Sequence, residues 1–310
     1  MTRILFVKTS SLGDVVQNCP AVSDAARMLP GAQIDWVVEE PFAGIAAMHA
    51  SVRRVIPVAL RRWRRALWSP AVWGELRAFR RALTAERYDA VIDSQALLKS
   101  AAMCFWAAGT KHGMDAASAR EPLAARFYDV LHTVSWRLHA VERNRRLTAE
   151  ALGFALDEDV RYGLRAEGAS PLEHDSSYAV FLTMTSRKDK LWPESRWIET
   201  GRALDMPVVL PWGNNAERGR AERICAAVPQ AIVPRRMALE ELARLFVHAR
   251  GVIGLDTGLT HLAAALGAPT VGIYCGSDPA LNGLYGAPQA KNVGGPGRAP
   301  EASEVLKQCA

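Results

Sequence analysis

The stretch ILFVKTSSLGDVVQNCPAV, residues 4–22, joins a short apolar run to an amphipathic segment through two serines, a glycine and an aspartate. The apolar run, residues 4–8, predicts a buried strand, and residues 15–28 have the spacing of a helix that buries one face. A strand followed at once by such a helix is typical of a parallel sheet covered by helices. Asp14 stands just before the predicted helix, where it can cap the helix or take part in chemistry. This stretch alone leaves both interpretations open.

The same alternation of short apolar runs and amphipathic segments continues along the chain. In the first half it predicts strands at 34–38 and 90–93 and helices at 70–84 and 138–154. The polar stretch DEDVRYGLRAEGASPLEHDSS, rich in turn residues, then interrupts the pattern. After it, strands are predicted at residues 178–182, 207–210, 251–255 and 270–274.

Two α/β domains follow from this pattern and from the length. A chain of 310 residues is long enough for two cores of ordinary size. We predict an N-terminal domain at 1–160, a linker at 161–177 and a C-terminal domain at 178–310. The halves show no close sequence repeat, so we expect them to be alike in architecture only.

Composition excludes several classes of protein. The hydrophobic fraction of 49% and the charged fraction of 23% are those of a soluble globular protein. The N-terminus lacks the features of a signal peptide, and the longest nearly unbroken apolar stretch, 101–108, falls far short of the roughly 20 residues that cross a bilayer. The five cysteines are scattered and form no C-x-x-C pair, which predicts neither a disulfide framework nor a zinc site. A reducing cytosol fits this composition.

Positive charge is concentrated in one segment. The net charge is +6, yet residues 53–87 contain ten arginines and two acids, a formal charge of +8. The centre of this segment, LRRWRRALWSPAVW at 60–73, places tryptophans among the arginines. It can form a solvated helical face with its tryptophans packed inward. It can equally bind an anionic lipid surface, an acidic sugar acceptor or nucleic acid.

The turns that follow predicted strands are the first place to look for a ligand site in an open parallel sheet. The first turn, TSSLGD, lacks the G-x-G-x-x-G spacing of dinucleotide-binding proteins. In the second half, GLDTGLTHLAAALG places Asp256, Thr257 and Gly258 at the start of a helix predicted at 259–266. Helix N-termini favour phosphate, although the stretch is also compatible with a plain capped helix in which His261 is packed.

Two further loops of the second half have related chemistry. TMTSRKDKLWPESRW carries hydroxyls at Thr185 and Ser186 and a lysine, Lys190, that could bind phosphate, or it is simply a hydrophilic surface loop. LPWGNNAERGRAERI places Glu217 where it could accept two ribose hydroxyls, or where it is a helix N-terminal acid favoured by the dipole. Three such turns in one domain together predict a nucleotide site.

Eight ordered motifs now carry a resemblance that covers nearly the whole chain. They are KTSSLGDVVQNCPAV, LRRWRR, YDAVIDSQALLKSA, HGMDAASAREPLA, HAVERNRRL, WPESRW, LPWG and LDTGLTHLAAALG. The chain resembles the ADP-heptose:lipopolysaccharide heptosyltransferases, and its first loop, SSLGD, is most similar to the first enzyme of that series. The resemblance implies a GT-B architecture, with two Rossmann-like doubly wound parallel-sheet domains facing across a cleft. It also implies an inverting, metal-independent transfer of L-glycero-D-manno-heptose from ADP-L-glycero-β-D-manno-heptose to the first Kdo of Kdo2-lipid A.

The resemblance also implies roles for individual residues. Asp14 matches the proposed general base. The donor side is implied to use Thr185, Ser186, Lys190, Glu217, Met237, Asp256, Thr257, Gly258, Leu259 and His261. The acceptor side is implied to use Ser10, Gly13, Arg61, Arg62, Arg64, Arg65, Arg120, His139 and Arg143. The family more often has threonine where Ser186 stands, but the hydroxyl is kept.

The partners implied by the resemblance are the ADP-heptose donor, the Kdo2-lipid A acceptor and the anionic inner leaflet of the bacterial inner membrane. We expect a monomer at the cytoplasmic face of that membrane, with no cofactor, no metal and no nucleic acid. Another ADP-sugar-dependent core transferase remains an alternative. A basic nucleic-acid-binding protein would explain only the arginine-rich segment, and the missing glycine fingerprint disfavours a nicotinamide-dependent oxidoreductase.

Overall fold

The computed structural model describes residues 1–172 and 177–309. The chain divides into two compact units, Met1–Leu164 and Arg165–Ala310. The division falls inside the segment predicted as a linker, 161–177. Residues 173–176 of that segment lie outside the described residues, as does Ala310 at the end of the predicted second domain.

The first unit is a six-stranded sheet covered by helices. Its spatial order is β3-β2-β1-β4-β5-β6, and every neighbouring pair is parallel. The strands are β1 (Arg3–Val7), β2 (Gln33–Glu39), β3 (Val52–Val58), β4 (Arg87–Asp93), β5 (Ala108–Met114) and β6 (Val130–His132). The helices are α1 (Leu12–Val16), α2 (Cys19–Met28), α3 (Ala43–Ala47), α4 (Leu60–Trp63), α5 (Pro70–Thr84), α6 (Leu98–Trp106) and α7 (Ala140–Leu152), with 3₁₀ turns at Glu40–Phe42 and Pro122–Phe127. The strand order reverses between β1 and β4, which makes this the switch point of the first sheet.

The second unit repeats the architecture. Its parallel sheet has the order β12-β11-β10-β7-β8-β9, and the switch point lies between β7 and β10. The strands are β7 (Ala179–Leu182), β8 (Val208–Val209), β9 (Ala231–Ile232), β10 (Gly251–Leu255), β11 (Thr270–Tyr274) and β12 (Ala290–Gly294). The helices are α8 (Glu194–Ala203), α9 (Asn215–Ala227), α10 (Leu239–Val247), α11 (Gly258–Ala265), α12 (Pro279–Asn282) and α13 (Ala302–Leu306), with a 3₁₀ turn at Lys188–Lys190.

The predicted fold class is confirmed, because each unit is a doubly wound parallel α/β sheet. The single helix predicted at 15–28 is wrong. The structure has two helices, α1 and α2, separated at Gln17 and Asn18. Pro20 explains the break, since it has no N–H to donate to the carbonyl of Val16 and is tolerated only in the first turn of a new helix.

Apolar side chains pack on both sheets. In the first unit, Trp63 is buried and packs edge-to-face on Phe79, with ring centroids 5.8 Å apart. In the second, Trp192 and Trp197 are fully buried and in edge-to-face contact at 5.0 Å. None of the helices formed by the residues that the structure describes is long and apolar enough to cross a bilayer.

A buried ion pair holds α7 against α2. Arg145 on α7 is only 2% exposed, and its Nε donates to Asp24 of α2 at 2.7 Å. The guanidinium also donates to the backbone carbonyls of Asp157 and Asp159, both at 3.0 Å. This network fixes the helix that carries part of the candidate site.

Candidate active site

The first cluster of candidate residues surrounds Asp14 at the switch point of the first sheet. These residues line a small cavity, which we call the Asp14 pocket. It lies where β1 and β4 end, as expected for a ligand site in an open parallel sheet. The side chains that matter most to it are those of Lys8, Asp14, Arg120, Trp136, Arg143 and Asn144.

The loop before Asp14 is held in place by residues that follow β4. The side-chain oxygen of Gln95 accepts the backbone N–H groups of Thr9 (3.0 Å) and Ser10 (3.1 Å). Lys99 donates to the hydroxyl of Ser10 at 2.9 Å. Gly13 is the second residue of α1. The hydrogen bonds therefore fix the backbone on the approach to Asp14.

Asp14 itself is the third residue of α1, and Ser11 is the N-cap. The interpretation of Asp14 as the cap residue is therefore corrected. Its Oδ2 instead accepts the N–H of Ser11 at 2.8 Å and the Ser11 hydroxyl at 3.1 Å. Its Oδ1 lies 3.4 Å from Nη2 of Arg120, and the side chain is 19% exposed. The carboxylate thus supports the helix start while remaining accessible.

Charges around Asp14 keep it ionised. Burial raises the pKa of the carboxyl, but the charges of Lys8 and Arg120 and the hydrogen bonds from Ser11 hold this pKa below its ordinary value of 3.8. Asp14 is therefore a carboxylate at neutral pH.

Lys8 is a site residue that the sequence analysis did not identify. It is buried at the end of β1, and its Nζ donates to the carbonyl of Ser94 at 2.6 Å and to Oδ1 of Asn144 at 3.3 Å. Burial lowers the pKa of Lys8 to about 8, and the nearby Asp14 partly opposes that shift. The available signal was a lysine at the carboxyl end of an otherwise apolar strand.

Trp136 is a second pocket residue that the sequence did not predict, and it contacts Arg143 of the predicted acceptor set. Arg143, on α7, is only 9% exposed, and its guanidinium carbon lies 4.3 Å from the ring centroid of Trp136. Burial lowers the pKa of Arg143, and the charge of Arg120 lowers it further. Within the described part of the chain, Arg143 forms no ion pair with an acid. A buried cation without an acidic partner is suited to binding an anionic ligand.

The other predicted acceptor residues lie in different environments. His139 is the buried N-cap of α7, and its Nδ1 accepts the N–H of Val141 at 3.2 Å. Arg62 binds two acids, Glu40 at 3.0 Å and Glu75 at 2.8 Å. Of the described residues that line the Asp14 pocket, Arg120 and Arg143 belong to the predicted acceptor set. The structure does not bring Arg61, Arg62, Arg64 and Arg65 into that lining.

The second cluster lies at the switch point of the second sheet. Nζ of Lys190, after β7, donates to Oδ2 of Asp256, after β10, at 2.5 Å. The hydroxyl of Ser277, after β11, donates to the same oxygen at 2.5 Å. Nε2 of His261 lies 3.4 Å from Oδ1 of Asp256. Burial raises the pKa of Asp256, but His261, Lys190 and Ser277 outweigh it and leave the pKa far below its ordinary value.

Other predicted phosphate-binding residues flank this cluster. Thr257 is the N-cap of α11, and Gly258 and Leu259 are the first two helical residues. In the loop after β7, Thr185 is half-buried and Ser186 is exposed. Ser277 was missed by the sequence analysis because a single serine in a turn after a strand is a weak signal.

Glu217 and Met237 lie on the β8 and β9 side of the same edge. Glu217 accepts the N–H of Gly213 at 2.6 Å and the side-chain amide of Asn214 at 2.7 Å, so in this structure it stabilises the start of α9. The indole of Trp212 donates to the carbonyl of Pro234 at 2.8 Å, which joins this loop to the one containing Met237. The order along the edge places the cation and helix N-terminus centrally and Glu217 and Met237 to one side.

The residues that the structure describes include no group of three or more His, Cys, Asp or Glu side chains placed to hold a metal ion.

Comparisons with known proteins show similarity that extends over both units of the chain. Residues 76–309 match the family described as glycosyltransferase family 9 (heptosyltransferase). Lipopolysaccharide heptosyltransferase 1 of Pseudomonas aeruginosa is 48% identical over 292 residues, which is 93% of this chain and 82% of that protein.

Two solved structures are similar over nearly the full length. The E. coli heptosyltransferase WaaC with ADP has a TM-score of 0.90 and 42% identity, with all of each chain covered. The same enzyme with ADP-2-deoxy-2-fluoro heptose has a TM-score of 0.87 and 44% identity, covering 99% of this chain and 98% of that one.

Proposed function

Because this chain belongs to glycosyltransferase family 9, the heptosyltransferases, we propose that it transfers L-glycero-D-manno-heptose from ADP-heptose to the first Kdo of Kdo2-lipid A. The chain is a glycosyltransferase of lipopolysaccharide core synthesis. The observation that carries the choice of donor is the full-length likeness to an enzyme whose structure holds ADP-2-deoxy-2-fluoro heptose. The choice of acceptor rests on the cationic surroundings of Asp14.

The donor's diphosphate would lie at the second switch point. Lys190 supplies positive charge there, and the first turn of α11 supplies free backbone N–H groups. Thr185 and Ser186 add hydroxyl donors from the loop after β7. As the glycosidic bond breaks, these groups stabilise the charge that accumulates on the departing ADP without needing a metal.

The sugar and nucleoside would lie on either side of the diphosphate. Asp256, held by His261 and Ser277, would accept heptose hydroxyls. Glu217 would exchange its hydrogen bonds at the start of α9 for two ribose hydroxyls, and Met237 would pack near the adenine. The carboxylates fit this role because an ionised acid accepts two hydroxyl donors.

The acceptor would bind in the Asp14 pocket. Arg120 and Arg143 would hold its carboxylate, and Ser10, Gly13 and His139 would shape the surroundings. Asp14 would accept the proton of the attacking hydroxyl. A carboxylate with a lowered pKa is a weak base, so this transfer becomes favourable only as the oxygen bonds to the anomeric carbon and its proton turns acidic.

We further propose that the protein acts as a monomer at the cytoplasmic face of the inner membrane, where its acceptor is embedded. Arg61, Arg62, Arg64 and Arg65 would meet the acidic groups of the lipid. Exposed arginines near an anionic surface attract it over about 8–10 Å at physiological ionic strength.

The test is transfer by the purified protein from ADP-heptose to Kdo2-lipid A, followed by mass spectrometry and by NMR of the new linkage. We expect one heptose added with inversion at the anomeric carbon and no loss of rate with a chelator. Transfer from another ADP-sugar in preference to ADP-heptose would overturn the choice of donor. Binding of NAD or a single-stranded oligonucleotide in preference to ADP would overturn the assignment as a whole.

A further inference from the structure

The turn between α4 and α5 exposes large apolar side chains. Trp68 is 84% exposed and Leu67 is 48% exposed, while Trp73 in the first turn of α5 is 52% exposed. Tryptophan and leucine are normally among the more buried residues of a protein, so an exposed group of them indicates an interaction surface.

This turn is a structured element. The N–H of Ala66 donates to the carbonyl of Trp63, and the N–H of Ser69 donates to the carbonyl of Ala66, both at 3.0 Å. Trp63 is buried beneath the turn, and its indole donates to Glu75 of α5 at 2.6 Å. Leu67 and Trp68 are therefore held outward on a fixed base.

Leu67 and Trp68 form an apolar tip, and the outer face of α5 beside this tip carries arginines. On α5, Trp73 is followed after four, seven and eight residues by Arg77, Arg80 and Arg81. At this spacing the four side chains share one face of the helix, and all four are exposed. The opposite face is buried through Val72, Phe79 and Leu83.

The charge of these arginines is available to a partner. Among the described residues, Arg77, Arg80 and Arg81 form no ion pair, whereas Arg53, Arg54 and Arg62 are bound to acids. The α5 arginines thus contribute unneutralised positive charge next to an apolar tip.

We propose that Leu67 and Trp68 insert into the interfacial region of an anionic lipid bilayer, with Arg77, Arg80 and Arg81 against the lipid phosphates. Tryptophan prefers the headgroup level because its ring is apolar and its N–H is polar. An apolar tip flanked by arginines combines the two interactions that bind proteins to anionic membranes. The inference rests on the proposed function, which places the acceptor in a membrane. Nucleic acid explains the surface less well, because the aliphatic Leu67 has no ring on which a base can stack.

Vesicle co-sedimentation tests the inference. Vesicles of phosphatidylcholine alone are compared with vesicles that also contain phosphatidylglycerol, and neither contains the acceptor. We expect the full-length protein to bind the anionic vesicles. The double variant Leu67→Ser/Trp68→Ser should bind them about tenfold or more weakly, because two apolar side chains lose their burial. The double variant Arg77→Gln/Arg80→Gln should weaken binding mainly at low salt. Leu131→Ser, which changes a 51% exposed leucine on β6, is the matched control and should leave binding unchanged.

Brominated lipids provide a second measurement that does not depend on the serine variant. Their quenching of tryptophan fluorescence should fall in Trp68→Phe although the protein still binds the vesicles. Equal vesicle binding by Leu67→Ser/Trp68→Ser and the unchanged protein would overturn the inference. Tighter binding of a single-stranded oligonucleotide than of anionic vesicles, lost in the same variant, would also overturn it.

Transfer to a deacylated, water-soluble acceptor separates this inference from the proposed function. The Leu67→Ser/Trp68→Ser variant should transfer heptose to that acceptor at the normal rate. If the unchanged protein binds anionic vesicles through Trp68 but transfers no heptose, the proposed function fails and the membrane surface stands.

Discussion

Lys190 and Asp256 meet across the switch point of the second sheet, where Nζ lies 2.5 Å from Oδ2. The lysine follows β7 and the aspartate follows β10, so the pair forms because these strands are neighbours. Asp256 thereby holds the ammonium group in place before a ligand arrives. An incoming diphosphate would share or replace that contact.

Replacing Lys190 with Gln should reduce kcat/KM for ADP-heptose by roughly ten- to a hundredfold. The reason is the loss of a charge-assisted hydrogen bond to phosphate, worth about 1.5–3 kcal/mol. Lys188→Gln is the matched control, because Lys188 is an exposed lysine of the same loop. Steady-state kinetics with varied donor would measure both, and equal values for the two variants would remove Lys190 from the donor site.

Replacing Asp14 with Asn should separate its structural role from its catalytic one. Asn keeps an oxygen that can accept the N–H of Ser11, so the melting temperature and the ADP affinity should hardly change. Because Asn cannot take up the proton, kcat should fall by about 10²–10⁴. Asp14→Ala should show the same loss of rate and also lower stability, by about 0.5–1.5 kcal/mol, because Ser11 loses its hydrogen-bond acceptor. Normal kcat in Asp14→Asn at saturating substrates would leave only the structural role.

The pH dependence of the reaction should reflect Lys8 more than Asp14. The pKa of Asp14 lies below its ordinary value, so no loss of activity from its protonation is expected between about pH 5 and 7. Lys8 has a pKa of about 8, so kcat/KM for the acceptor should fall as the pH rises through that value and the pocket loses a positive charge. In Lys8→Met this alkaline fall should be absent, and a profile identical to that of the unchanged protein would contradict the role of Lys8.

The same titration should affect stability in the opposite direction. The unfolded lysine keeps its proton up to about its ordinary value of 10.5, while the folded protein loses it near 8. The unfolded state therefore binds more protons than the folded state between these pH values. The contribution of Lys8 to the free energy of unfolding consequently rises with pH in this range. Urea unfolding of the unchanged protein and Lys8→Met at several pH values would measure this difference.

The pairing of Arg143 with Trp136 should govern acceptor binding. Arg143→Gln removes a buried cation, so KM for the acceptor should rise by roughly tenfold or more while KM for ADP-heptose stays constant. Trp136→Leu should raise the acceptor KM less, and Trp136→Phe should restore most of it because phenylalanine keeps an aromatic face for the guanidinium. A change in KM for ADP-heptose alone would contradict the assignment of Arg143 and Trp136 to acceptor binding.

The buried contact between Arg145 and Asp24 should be a major determinant of stability. Removing one partner by Arg145→Leu leaves the Asp24 carboxylate buried without its main partner and should cost about 3–5 kcal/mol. Replacing both residues with Leu should cost less, because the buried Asp24 carboxylate is then removed together with its partner. Denaturant unfolding of the single and double variants would measure the difference, and equal losses in both would contradict the explanation.

The sequence predicted the architecture well where strands are continuous apolar runs. Strands such as β1, β4, β10 and β11 follow from the apolar runs. The meeting of the loops at the carboxyl edge of each sheet follows from the parallel topology. β3, β5, β6, β9 and β12 were not identified, and the sequences of β3 and β5 show why. VRRVIPV contains arginines and a proline, and AGTKHGM is poor in apolar residues, so neither shows a buried-strand pattern. Their pairing is decided by neighbouring strands in the sheet, which no local pattern reports.

Candidate site residues could be proposed from the sequence where a residue type is unusual for its position. Asp14, Lys190 and Asp256 lie in the segments that follow strands, where a charged group suggests a ligand. Lys8 gave such a signal at the end of β1, but its contact with Asn144, which is distant in sequence, could not be read from the sequence. Trp136 gave no such signal, because its role depends on the position of its ring against the guanidinium of Arg143. The break between α1 and α2 was within reach, since Pro20 gives a local reason for it.

All the candidate residues at the two switch points lie at the carboxyl edges of their sheets. The amino edges are therefore suitable places to attach a tag or a linker. The turn between α2 and β2 is at the amino edge of the first sheet, and Pro30 and Gly31 in it are exposed. Gly31 has a φ of +83°, a conformation that other residues adopt poorly, so it should be kept. An affinity tag or immobilising linker inserted between Pro30 and Gly31 would anchor the enzyme to a sensor chip with the Asp14 pocket unobstructed.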